Sequence, residues 1–282
     1  MGVVFPETEM AVEAKKAEEV PTQLNNFLRL NLNVVTKAET VGIRMDRWDA
    51  CGRVKLDLAR LRGRPCVGGL DIGATSDLNS FLLVFECESE SDEKLREYEL
   101  LAWFWAPEDK ARQYEAEGRA PYTTWARQNL LELTPGDEVD YALLHKRIRE
   151  ILKEFPQCKA IAADRLFQGA WLCQELAKDG YDVVPYGMGF MSLSSPSMEL
   201  ETLINRGALR HGDNPIMRWM ASNVAWLQDR GATSRSIKPV KAAPNDPACK
   251  IDGVVALIIA LGEWIRRDQK PSVYTKRGLK SL

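Results

Sequence analysis

Two apolar runs of strand length, CVGGLD (66–71) and CKAIAAD (158–164), each close on an aspartate. The first is apolar on both faces and so belongs in the middle of a sheet rather than at an edge. A carboxylate at the end of such a strand is costly to desolvate unless something compensates it, and a metal ion is a usual compensation. Any fold for this chain has to place Asp71 and Asp164 where that cost is met.

The sequence around the two runs sets the order of elements. After CVGGLD comes GATSD, of turn composition, then LNSFLLVFECE, so the pair reads as a hairpin. REYELLAWFWAP follows the polar SESDEK loop as a third strand of an antiparallel meander. DYALLHKRIREILKEF spaces Tyr141, Leu144, Ile148, Ile151, Leu152 and Phe155 along one helical face. CKAIAAD, a helix over FQGAWLCQELAKDG ending at Gly180, and the strand YDVVPYG then form a parallel unit with a right-handed crossover. The fold class expected is α/β: a mixed five-stranded sheet, three antiparallel strands and then two parallel, flanked by helices.

Further on, SPSMELETLINRG predicts a helix with a Ser cap and a Gly stop, and NPIMRWMASNVAWLQD a second helix. GATSRSIKPVKAAPNDPACK is polar, basic and broken by Pro, as in an exposed hairpin or loop. DGVVALIIALGEWIRR is apolar on nearly all sides, a helix to be buried. Residues 1–52 are expected to be a peripheral lead-in and connector, 53–270 the main domain, and 271–282 a basic tail.

Composition narrows the chemistry. With 282 residues, 45% hydrophobic and 28% charged, the chain suits one large globular domain or two small ones. The longest apolar run, Val254 to Gly262, is far short of the roughly 20 residues that span a bilayer, so no transmembrane helix is expected. Acidic residues stand where a signal peptide has its apolar core, which favours an intracellular site. Six cysteines without a CxxC pair and only two histidines offer no zinc site, so any metal must be held by carboxylates, which favour hard ions such as Mg²⁺ or Mn²⁺.

Charge is segregated along the chain. From Glu86 to Glu117 eleven acidic residues face four basic ones; from Gly231 to the end ten basic residues face four acidic ones. The basic third suggests a surface toward a polyanion, and a solvated surface with a basic tail accounts for about half of the excess.

The third carboxylate is Asp252, in the first turn of the apolar helix. Taken alone, it has an ordinary reading as a helix-capping residue. The conjunction with Asp71 and Asp164 is more specific: a sheet rim and a helix start can together hold two divalent ions about 3.5–4 Å apart, an arrangement that hydrolyses phosphodiesters.

GGLDIGATSDLNSFLLVF, PYTTW followed by LTPGDEVDY, IAADR, GALRHGDNPIMRWMASNV and KIDGVVALIIAL resemble, in order, the nuclease domain of the large terminase subunit of tailed bacteriophages. The resemblance covers about residues 65–267. It implies an RNase H-like fold and an endonuclease, dependent on two Mg²⁺ or Mn²⁺ ions, that cuts concatemeric double-stranded viral DNA during packaging. It implies double-stranded DNA, a terminase ATPase domain, the small terminase subunit and the portal as partners, with no membrane, in the cytoplasm of an infected bacterial host. Asp71, Asp164 and Asp252 match the family's metal-binding carboxylates, and Asp77 an additional acidic position, although Asp in a turn is ordinary. His211 and Asn223 also fall in family-like segments; a local hydrogen bond and helix packing account for them equally well. Arg235, Lys238, Lys241 and Lys250 are expected to flank the metal site and neutralise DNA phosphates, with Arg165 a further contact to the scissile strand. No GxxxxGK[ST] loop occurs, so no ATPase activity is expected, and the chain would be a nuclease half or a fragment of a longer product.

Two rival readings remain. LDIGATSDLNSFLLVF also fits the DxGxT phosphate hairpin of actin-like and sugar-kinase lobes, which leaves Asp252 unexplained and needs a second lobe. A non-catalytic module that docks DNA or the portal follows if the three aspartates do not converge. A dinucleotide site is disfavoured, because after GMG (187–189) Ser192 stands where a Gly is required and a turn is expected to follow.

Overall fold

Strand β1 (Cys66–Ile72) lies between β2 (Asn79–Glu88), antiparallel to it, and β5 (Cys158–Asp164), parallel to it. On one side β3 (Arg96–Pro107) continues antiparallel to β2; on the other β6 (Val183–Tyr186) continues parallel to β5. The computed structural model that provides this arrangement describes residues 10–15, 42–73, 76–88, 96–164 and 169–268. The order β3-β2-β1-β5-β6 is the mixed five-stranded sheet expected. Two short strands extend it to seven: β4 (Glu132–Thr134) and β7 (Leu209–Arg210) lie parallel to the two ends of β3. Both are too short to carry a periodic signal, and β7 is tied down by Arg210, which pairs with Glu97 at 2.9 Å and Glu99 at 3.4 Å.

Side-chain alternation along β1 sends Val67 into one core and Cys66 and Leu70 into another. The second core is covered by α5 (Tyr141–Glu154) and α6 (Ala170–Lys178), which bury Leu144, Ile148, Leu152, Leu172 and Leu176. Helix α5 starts where Asp140 accepts the Leu143 N–H at 3.0 Å. The first core is filled by α9 (Asp252–Asp268), whose residues from Val254 to Leu261 are all buried. Each Leu, Ile or Val so buried stabilises by about 1.5–3 kcal/mol before entropy is counted. Around α9 lie α1 (Met45–Cys51), α7 (Phe190–Arg206) and α8 (Pro215–Ser222), with α3 (Glu108–Ala116) and α4 (Tyr122–Arg127) beyond β3; α2 (Leu58–Leu61) borders the other core.

Four expectations need correction. Helix α7 begins at Phe190, directly after Gly189, with no side-chain cap, rather than at a Ser; a helix, not a turn, therefore follows GMG. Pro196 inside it has no N–H for the Ser192 carbonyl, and the Tyr186 hydroxyl donates to that carbonyl instead at 3.2 Å. The Gly stop stands: Gly207 takes φ 71°. The second expected helix ends at Ser222, and Val224–Gln228 is strand β8, paired antiparallel with β9 (Ile237–Lys241), so the end of that expected helix is one arm of a hairpin. Finally, the boundary at residue 52 is too late, because Ile43, Trp48 and Cys51 are core residues. The rest of the connector, residues 16–41, and the tail 271–282 lie outside the described residues.

Candidate metal centre

Leu70 of β1 pairs with Ala163 of β5, so Asp71 and Asp164 leave adjacent parallel strands one step further on, at the same level. Alternation puts Asp71 on the face of Val67 and Asp164 on the face of Ala162, the face that packs on α9. Asp252 arrives there because α9 runs against β1. At its far end Trp264 donates to Glu86 at 3.2 Å, beside the start of β1; nearer its start the Ala256 carbonyl occupies the space where a Cβ on Gly69 would be. From Gly69 to Asp71 is two strand residues, about 6.6 Å, and from Ala256 to Asp252 is four helix residues, about 6 Å. Both steps return to the same face, so the close approach at Gly69 brings Asp71 and Asp252 together.

Electrostatics reports the same convergence. Enclosure pushes the Asp71 carboxyl well above the usual carboxylate range, and Asp252, Asp164 and Asp77 push it further. Burial and then Asp77 raise Asp252 to about 6, against the opposing pull of Lys250 and Lys241. The Oδ2 atom of Asp252 is buried with no hydrogen-bond partner among the described residues. An orphaned carboxylate oxygen beside further carboxylates suits a hard cation, so the donor set fits the metal that the sequence suggests. Among the described residues, no three His, Cys, Asp or Glu side chains lie grouped so as to hold a metal ion by themselves.

Asp77 is already engaged. Its Oδ1 accepts the Leu78 N–H at 2.8 Å, and its Oδ2 accepts Lys250 Nζ at 2.5 Å. Lys250 is 8% exposed. It is an internal partner of Asp77 rather than an exposed cation free to reach DNA phosphates. Lys241, at the end of β9, acts on both Asp71 and Asp252. Lys238 lies over the Phe190 ring at 5.2 Å, and Arg235 grips Glu201 of α7 at 2.5 and 3.0 Å, so neither is assigned to the carboxylate cluster by its partner. Arg165 lies outside the described residues.

His211 and Asn223 take the ordinary roles open to them. The His211 ring stacks on Trp48 with centroids 4.3 Å apart, and its Nε2 donates to the Trp48 carbonyl at 2.8 Å. Asn223 donates to the Lys250 carbonyl at 3.1 Å and accepts the Ala242 N–H on its own carbonyl at 2.8 Å, clamping the end of β9 to the approach to α9. Sequence reasoning missed Tyr122, a buried phenol whose titration is pushed up by enclosure and then by Asp77 and Asp252. It lies in the PYTTW segment, and an aromatic helix start gives no separate sign of facing a carboxylate cluster.

A family model, terminase large subunit, endonuclease domain, matches residues 1–268. A curated relative, the terminase large subunit of Enterobacteria phage HK97, is 30% identical over 93% of this chain and 49% of its own length. Protein YmfN of Escherichia coli (strain K12) is 29% identical over 96% of this chain and 59% of its length, so the chain spans about half the length of the curated relatives it matches. The crystal structure of the HK97 bacteriophage large terminase aligns with a TM-score of 0.66 at 28% identity, over 93% of this chain and 52% of that one, and the fold is RNase H-like. With a family model spanning nearly its whole length, the chain belongs to the terminase large subunit endonuclease domain family.

Proposed function

We propose that this chain is a metal-dependent endonuclease that cuts concatemeric double-stranded viral DNA during genome packaging, with Asp71, Asp164 and Asp252 holding two Mg²⁺ or Mn²⁺ ions. The observation that carries the proposal is that Asp71, buried at the end of β1, is acted on by the charges of Asp252, Asp164 and Asp77, while Asp252 keeps a buried oxygen with no hydrogen-bond partner among the described residues. Ions bound there would lower the pKa of a water and stabilise the leaving oxygen of an in-line displacement at phosphorus. The protein's own part is to hold the three carboxylates on one rim, where bound cations would offset their mutual repulsion. The parallel register fixes Asp71 beside Asp164, the close packing at Gly69 fixes Asp252, and the α9 N-terminus favours negative charge beside it. Lys241 at the rim is placed to neutralise a phosphate of the incoming strand.

Family membership supports double-stranded DNA, a terminase ATPase domain, the small terminase subunit and the portal as partners, in the cytoplasm of an infected bacterium. No helix among the described residues is long and apolar enough to cross a membrane. Plasmid nicking with and without Mn²⁺, beside Asp71→Ala, tests the proposal. Cleavage that needs Mn²⁺ and disappears in the variant is expected; equal cleavage by both proteins would mark a contaminant and remove the assignment.

A further inference from the structure

Asp71 is acted on by Asp252, Asp164 and Asp77, and Asp77 is paired with Lys250, a lysine that is 8% exposed with its ammonium 2.5 Å from the carboxylate. A buried ammonium is stable only where it is paired, and a buried carboxylate cluster is stable only where its repulsion is offset. The pair does both. Its backbone is held firmly: the Lys250 carbonyl accepts from Asn223 at 3.1 Å, and α9 starts two residues later at Asp252. The side chain has four flexible carbons between that anchor and its charge. Asp77 is also fixed independently of the lysine, since the Leu78 N–H holds its other oxygen at 2.8 Å.

We infer that Lys250 is the built-in counter-cation of the carboxylate cluster, and that its ammonium leaves Asp77 when a divalent ion binds. The inference rests on the metal-dependent reading proposed above. A site in which the competent state is only fractionally populated binds more weakly by that fraction, so removing the resident charge should tighten metal binding. Lys250 thus sets the metal concentration at which the site fills, and Asp77 is exchanged between an internal and an external cation.

The test uses the metal-free full chain, Mn²⁺ as the probe and two readouts. In calorimetric titration, Lys250→Met is expected to bind Mn²⁺ about tenfold more tightly than wild type. In amine acetylation read by mass spectrometry, Lys250 of the wild type should react slowly without metal and severalfold faster with saturating Mn²⁺. Equal or weaker Mn²⁺ affinity in Lys250→Met, or a Lys250 acetylation rate that Mn²⁺ leaves unchanged or lowers, would overturn the inference. The acetylation arm needs no variant, so it decides the matter even where Lys250→Met does not fold. Asp71→Asn separates the two levels: if no Mn²⁺ uptake sensitive to that change exists, the metal reading falls and this inference with it, whereas uptake without release of Lys250 overturns this inference alone.

Discussion

Gly69 has no room for a Cβ because the carbonyl of Ala256 fills that position. The missing side chain lets α9 lie directly on β1, and the geometry of both elements then carries that contact outward, two residues along the strand and four along the helix, to Asp71 and Asp252. The glycine is part of the site although it touches none of its chemistry.

Gly69→Ala should therefore injure the site more than its neighbour Gly68→Ala. At Gly68 a Cβ would come within 3.0 Å of the Phe81 ring edge and 3.2 Å of Ile161, side chains that can yield a few tenths of an ångström. At Gly69 the obstacle is backbone. Overpacking of this kind costs about 1–3 kcal/mol or more, and here α9 must lift away from β1. Thermal denaturation together with Mn²⁺ titration should show Gly69→Ala losing both stability and metal affinity while Gly68→Ala keeps its metal affinity. Similar Mn²⁺ affinity in the two variants would break the link between the packing contact and the carboxylates.

The carboxylate cluster should make the metal-free protein less stable as pH rises. The Asp252 carboxyl moves from 3.8 up to about 6, so the folded chain binds that proton more tightly than the unfolded one. Its contribution is most favourable below about pH 4, declines as pH passes from about 4 to about 6, and is fully lost above that. At about 1.4 kcal/mol per pKa unit the change amounts to about 3 kcal/mol. Asp71 shifts in the same direction. Metal-free Asp252→Asn should accordingly be more stable than wild type at pH 7.5 and lose that advantage near pH 4.5, while Mn²⁺ should raise the wild-type melting temperature more at pH 7.5 than at pH 5. Denaturation curves across that range check it; a variant no more stable than wild type at pH 7.5 would contradict the repulsion argument.

The parts of this molecule legible from sequence are those in which one segment carries its own signal. CVGGLD and CKAIAAD announce central strands by apolarity and mark their own rim by ending on Asp. The all-round apolar α9 announces its burial in the same way. What could not be read depends on a partner elsewhere. Strands β4 and β7 exist only because β3 offers its free edge. Val224–Gln228 shares its apolar spacing with the helix before it and is turned into a strand by pairing with β9. Lys250 sits in a basic stretch and reads as a surface charge until Asp77, far away in sequence, is brought to it.

Lys241 tests the outer side of the rim. It sits at the end of β9, half-buried, and favours ionisation of both Asp71 and Asp252. Phosphate contacts of such a lysine are sequence-independent and weaken with salt. Lys241→Glu should weaken binding of duplex DNA more at low salt than at high salt, by about tenfold near 50 mM, and flatten the salt dependence by about one unit of slope. Fluorescence anisotropy at several salt concentrations measures both. Unchanged affinity in every condition would take β9 out of the DNA path.

His211 should matter for stability and not for cleavage. Its ring is buried against Trp48 and donates from Nε2 to the Trp48 carbonyl, which leaves Nδ1 buried without a partner among the described residues. Burial lowers its pKa below 6.5 despite the carbonyl contact. The folded state then takes up the second proton less readily than the unfolded chain, so the stability that His211 contributes is present above about pH 6.5 and is lost as pH falls through the folded value. His211→Phe keeps a flat ring on Trp48 and gives up one hydrogen bond, for a cost of about 1 kcal/mol at pH 7.5. His211→Ala also opens a cavity beneath Trp48 and should cost about 2–4 kcal/mol. The wild-type advantage over His211→Phe should shrink or reverse between pH 7.5 and pH 5, read as the difference between their denaturation curves so that the carboxylates cancel. In plasmid nicking below the melting temperature, His211→Phe should cut at the wild-type rate with the same Mn²⁺ dependence. A folded His211→Phe that fails to cut would move His211 from the packing of α1 to the chemistry of the rim.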